Sequence, residues 1–127
     1  MQHHETQSRL MSGAPLYQVK ADFLRTLGHP ARIRVLELLC ERDHAVHELL
    51  AEIAIEPSNL SQQLGVLRRA GLVVQRREGA EVVYSIGVPE IRDLLLVARQ
   101  ILLRRLADQE NLREQLQPEQ QSTRGIS

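Results

Sequence analysis

A chain of 127 residues with 43% apolar side chains is long enough for one compact core and too short for two comfortable ones. Its formal net charge is zero, 16 basic against 16 acidic side chains, which excludes a polyanion binder whose whole surface is basic; any anion site must be local. A single cysteine, Cys40, excludes an internal disulfide, and the apolar runs are far shorter than the ~20 residues that span a bilayer, so a reduced, cytoplasmic chain with no membrane segment is expected.

Residues 1–14 are polar without periodicity and residues 117–127 are rich in Gln and Ser, so both read as tails without fixed structure around one domain over 15–116. Leu16, Val19, Phe23 and Leu27 recur at helical spacing, and Gly28 offers a left-handed stop. Pro30 opens a second helix, to about Glu41, whose buried stripe is Ile33, Leu36, Leu39 and Cys40; His29 before it reads as a capping or packing residue. A short third helix carries Val46, Leu49, Leu50 and Ile53. Only Ala54, Ile55 and Glu56 separate it from a fourth with Leu60, Leu64 and Leu67 inside, ended by Gly71; this is the spacing of a helix-turn-helix. Glu56 stands where a carboxylate caps a helix. Leu72 to Arg77 and Val82 to Ile86 flank a Gly-containing turn and predict a β-hairpin, the wing. After Pro89, apolar positions from Ile91 to Leu106 repeat over about four turns. The expected fold is mainly α with a small β-hairpin wing, a winged helix-turn-helix.

A helix lying in the major groove turns small or hydrogen-bonding side chains toward base edges and apolar ones away. The fourth helix fits, with Ser58, Asn59, Ser61, Gln62 and Gln63 expected on its outward arc, and from Pro57 to Arg77 there is no acid. Arg68, Arg69, Arg76 and Arg77 are candidates for phosphate or minor-groove contacts, although Arg68 and Arg69 equally suit the negative end of a helix dipole. The last helix is too apolar for one domain to bury all round.

Over about residues 23–106 the sequence resembles the ArsR/SmtB family of winged-helix repressors. The resemblance rests on Leu27-Gly28-His29-Pro30-Ala31-Arg32-Ile33-Arg34-Val35-Leu36, on Glu48-Leu49, on Ser58-Asn59-Leu60-Ser61-Gln62-Gln63-Leu64, on Leu67-Arg68-Arg69-Ala70-Gly71-Leu72-Val73, and on Arg77-Glu78-Gly79 with Val83-Tyr84. It implies a homodimer joined through its first and last helices, with Leu16, Val19, Phe23, Leu94, Ala98, Ile101 and Leu102 at the interface. It also implies repression at an inverted-repeat operator in double-stranded DNA, released by an effector that the sequence leaves unnamed. Tyr84 and Leu64 become core residues.

The family's metal sensors use cysteines in the third helix or Asp, His and Glu in the last. Here Leu50 and Glu52 stand at the thiolate positions and no histidine follows His47, so no family-type metal site and no cofactor are expected. His44 and His47, with Glu41, Asp43 and Glu48 nearby, are weak metal candidates in what reads as a solvated loop. Cys40 continues an apolar stripe and reads as a buried, inert thiol rather than a redox handle. No Gly-rich phosphate loop or nucleophile elbow suggests an enzyme. The competing reading is a winged-helix module for protein contact without sequence-specific DNA binding.

Overall fold

The computed structural model describes residues 13–116, so the tails expected over 1–14 and 117–127 lie outside the described residues except for Gly13 and Ala14. In chain order the elements are α1 (Leu16–Leu27), α2 (Pro30–Glu41), β1 (His44–Ala45), α3 (Val46–Glu52), α4 (Pro57–Arg69), β2 (Val73–Glu78), β3 (Glu81–Ile86) and α5 (Glu90–Leu116). The chain divides at Arg92 into two compact units, and each is described by itself.

In the first unit, α1 stops without the left-handed glycine expected. Gly28 has φ −76°, and its N–H instead bonds the Arg25 carbonyl in a tighter turn. His29 then caps α2, its ring Nδ1 accepting the Ala31 N–H at 3.2 Å, and Pro30 occupies the first helical position where its missing N–H costs nothing. Val35 and Leu36 from α2, Leu49 from α3, and Leu60 and Leu67 from α4 are completely buried, and Ile91 at the start of α5 joins them at 1% exposure. Apart from Tyr84, which is buried on β3 as expected, the core is aliphatic, as the near absence of aromatic residues requires.

The wing is a three-stranded antiparallel sheet in the order β1-β3-β2, one strand more than expected. Val73 faces Ile86 at one end and Glu78 faces Glu81 at the other, leaving Gly79-Ala80 as a two-residue turn with Gly79 at φ 62°. The added strand β1 sets His44 opposite Tyr84 and Ala45 opposite Val83. The supposed loop between α2 and α3 is therefore an ordered sheet edge.

The second unit is the body of α5, which runs to Leu116, beyond the four turns expected. It leaves Leu96, Val97, Ile101, Leu102, Leu103, Leu106, Leu112 and Leu116 exposed. Among the described residues no helix is long and apolar enough to cross a membrane.

Candidate nucleic-acid interface

The entry into α3 is fixed by Glu48, whose Oε1 accepts the Ala45 N–H at 2.9 Å while its Oε2 pairs with Arg42 at 2.9 Å. The Ala45 bond first, and the Arg42 pairing after it, hold the Glu48 carboxyl below the ordinary glutamate range. α3 ends at Glu52, and Ile53 turns to extended backbone as its cap while staying buried. The connection to α4 is therefore Ile53 to Glu56, one residue longer than the spacing suggested. Glu56 precedes α4, yet its carboxylate makes no capping bond, so Pro57 at the first position carries the start.

Leu60, Leu64 and Leu67 face the core at 0%, 2% and 0% exposure. On the other side Ser58, Ser61 and Gln62 are exposed and Asn59 is half-buried. Gln63 corrects the expected outward arc, because it is buried at 5% exposure. It follows Leu60 by three residues and precedes Leu67 by four, which puts it on the inward stripe. Its Oε1 accepts from Arg32 Nε at 2.7 Å and its Nε2 donates to Asn59 Oδ1 at 2.9 Å. Arg32 also donates through NH1 to the Thr26 carbonyl at 3.0 Å, and burial draws its guanidinium below the ordinary arginine range. Arg32 lies 31 residues from Gln63, so no local spacing revealed its part in the site.

α4 closes with two bonds that satisfy its last carbonyls, Gly71 N–H to Arg68 O and Leu72 N–H to Leu67 O, both 3.0 Å. This motif needs a left-handed residue, and Gly71 supplies it at φ 77°. Arg68 and Arg69 are exposed in the last turn, with the Arg69 guanidinium lying over Gly65.

Arg76 and Arg77, adjacent on β2, differ sharply. Arg77 is exposed and has no ion-pair partner among the described residues. The Arg76 guanidinium is held by Asp43 at 2.7 Å and Glu78 at 2.8 Å, and these bonds, Asp43 first, raise its pKa above the ordinary value. Arg76, a candidate for backbone contact, is thus already paired with two carboxylates, and its bond to Asp43 ties the wing to the segment before β1.

The weak metal candidates are dispersed. His44 is buried, with Nδ1 2.8 Å from the Arg42 carbonyl. His47 is exposed on α3, 3.4 Å from Glu81, while Asp43 and Glu48 are engaged by Arg76 and Arg42. Among the described residues no three His, Cys, Asp or Glu side chains gather as a metal site. Cys40 is half-buried rather than buried. Desolvation raises its thiol pKa, an effect opposed by Arg92, whose guanidinium donates to the Cys40 carbonyl.

A short helix, a turn, a second helix with a polar outer arc and an adjoining hairpin with an exposed arginine define a winged helix-turn-helix DNA-binding protein. Comparison with known proteins agrees. The sequence model described as "Bacterial regulatory protein, arsR family" matches residues 29–74. The HTH-type transcriptional regulator Rv0081 of Mycobacterium tuberculosis is 57% identical over 107 residues, which cover 84% of this chain and 94% of that one. Its crystal structure superposes with a TM-score of 0.70 at 60% identity, covering 75% of this chain and 96% of the other. The biofilm growth-associated repressor of Agrobacterium fabrum is 45% identical over 67 residues, 53% of this chain and 57% of its own. The crystal structure of the transcriptional repressor BigR from Xylella fastidiosa has a TM-score of 0.59 at 34% identity, covering 70% and 88% of the two chains. The chain belongs to the ArsR family of bacterial transcriptional regulators, a class of DNA-binding proteins.

Proposed function

We propose that this regulator is a homodimeric repressor that reads an inverted-repeat operator with Ser58, Asn59, Ser61 and Gln62, and holds the DNA backbone with Arg77, aided by Arg68 and Arg69. The observation that carries the reading is the split of α4 into a buried leucine stripe and an exposed hydroxyl and amide arc, continuous in sequence with a wing whose Arg77 is uncommitted. The dimer is supported by large apolar side chains that are exposed among the described residues. Leu16 is 64% exposed on α1, Ile101 and Leu102 are 53% and 61% exposed on α5, and Ala98 and Leu94 share that helix. Val19 and Phe23, half-buried on α1, complete the interface. Two-fold symmetry then sets the recognition helices at half-sites about one helical turn, roughly 34 Å, apart.

Selection of bound fragments from a random double-stranded pool at physiological salt tests this. An enriched inverted repeat is expected, and Gln62→Ala should relax one base pair per half-site by about 1–3 kcal/mol. Weak, salt-sensitive binding with no enriched sequence would refute operator reading and favour a protein-contact module.

A further inference from the structure

The polar chain behind α4 has a direction that follows from its chemistry. A guanidinium carries only donors, so the Gln63 atom facing Arg32 Nε at 2.7 Å must be the carbonyl oxygen. The Gln63 amide nitrogen is thereby turned the other way, and it can only donate; the Asn59 atom it meets at 2.9 Å must be Oδ1. Gln63 is buried, so solvent offers its amide no substitute partners. Arg32 is itself anchored, because NH1 donates to the Thr26 carbonyl in the last turn of α1. With its oxygen directed inward, Asn59 turns its two Nδ2 hydrogens away from the buried chain.

We propose that Arg32 acts through Gln63 as a positioning residue that fixes the polarity of Asn59, so that α4 presents N–H donors there and selects guanine over adenine at the facing base pair. Guanine offers two acceptors in the major groove, N7 and O6, whereas adenine sets a donor beside its single acceptor. The proposal rests on the reading of α4 as the base-contacting helix. It refines that reading, since an unconstrained asparagine would pair with adenine through both its oxygen and its nitrogen.

Gln63→Glu tests the relay with almost no change of shape. A carboxylate still accepts from Arg32 but cannot donate to Asn59, so Asn59 must turn its nitrogen inward and its oxygen out. In fragment selection with the full chain, the wild type should prefer guanine at one base pair per half-site by about tenfold, and Asn59→Ala should flatten that position alone. Gln63→Glu should shift the same position to adenine or cytosine, whose exocyclic amines donate, and leave the others unchanged. Arg32→Lys, still a pure donor, should keep guanine, whereas Arg32→Met should lose the preference.

A position that Asn59→Ala flattens and Gln63→Glu leaves at guanine would overturn the relay while leaving Asn59 a base contact. If Asn59→Ala changes no position, the proposal falls with the reading beneath it. Should Gln63→Glu not fold, side-chain amide exchange in the wild-type protein decides by NMR. The Gln63 Nε2 hydrogens should be protected and the Asn59 Nδ2 hydrogens should exchange freely, and the opposite order would overturn the proposal.

Discussion

Neighbouring arginines in one strand give the sharpest prediction, because Arg77 has no ion-pair partner among the described residues and Arg76 is already held by two carboxylates. Each phosphate neutralised by a cation steepens the dependence of log affinity on log salt by about 0.9. A homodimer places two copies of Arg77 on the operator, so Arg77→Ala should flatten the slope by about 1.8. Between 50 and 200 mM salt the wild type should therefore lose about twelvefold more affinity than the variant, and the weakening at low salt should be alike on operator and on random DNA. Arg76→Ala removes a charge that Asp43 and Glu78 already offset, so its slope should stay near that of the wild type. Fluorescence anisotropy titrations of labelled duplexes across that salt range measure both slopes. An unchanged slope for Arg77→Ala, or an equal flattening by Arg76→Ala, would refute the assignment of Arg77 to the backbone and Arg76 to the wing.

Leu60→Ala leaves a cavity in a fully buried site and should cost about 2–5 kcal/mol in denaturant unfolding; a loss under 1 kcal/mol would mean α4 is not held by its leucine stripe. Leu102→Glu should convert the dimer to monomers in sedimentation and abolish operator binding at concentrations that saturate the wild type, whereas a variant that stays dimeric removes the α5 interface. Gly87→Ala should destabilise, because an added Cβ would meet the Gly71 carbonyl oxygen at 2.9 Å and part the wing from the end of α4; an unchanged melting temperature would contradict that close approach. Glu48 has a folded pKa below its unfolded one, so its contribution is present above the ordinary glutamate pKa and is lost as pH falls through the folded value. Glu48→Gln should therefore narrow its stability gap to the wild type on acidification through that window, and a gap constant with pH would show that the charge plays no part.

Most of the fold was legible because it is written at short range. Helical spacing of leucines, Pro30 and Pro57 at first-turn positions, and Gly71 after α4 each act within a few residues of where they stand. What escaped was either too short to have a period or depended on distant partners. β1 is a two-residue strand defined only by its pairing with β3, and its residues His44 and Ala45 have no strand signature of their own. Of the two carboxylates that pair with Arg76, Glu78 stands two residues away, but Asp43 lies 33 residues away, and no local spacing reveals it. Gly28 shows the limit of a local rule, since a tight turn into the cap of α2 ends α1 with no left-handed residue.

Gln63 is a different case, because its position was in the sequence and its residue type obscured it. Leu60, Gln63, Leu64 and Leu67 have the spacing i, i+3, i+4, i+7 of a single buried stripe, and only the amide made Gln63 look like part of the outward arc. A polar residue on an apolar stripe must find partners inside the protein, and a buried amide has to match a donor and an acceptor at once. Arg32 supplies the donor and Asn59 the acceptor, so the residue that breaks the hydrophobic pattern is the one that joins the outward polar side of α4 to the helices behind it. A helix held only by leucines would dock at the right depth with Asn59 free to turn over; a buried amide held on both sides fixes which way it points.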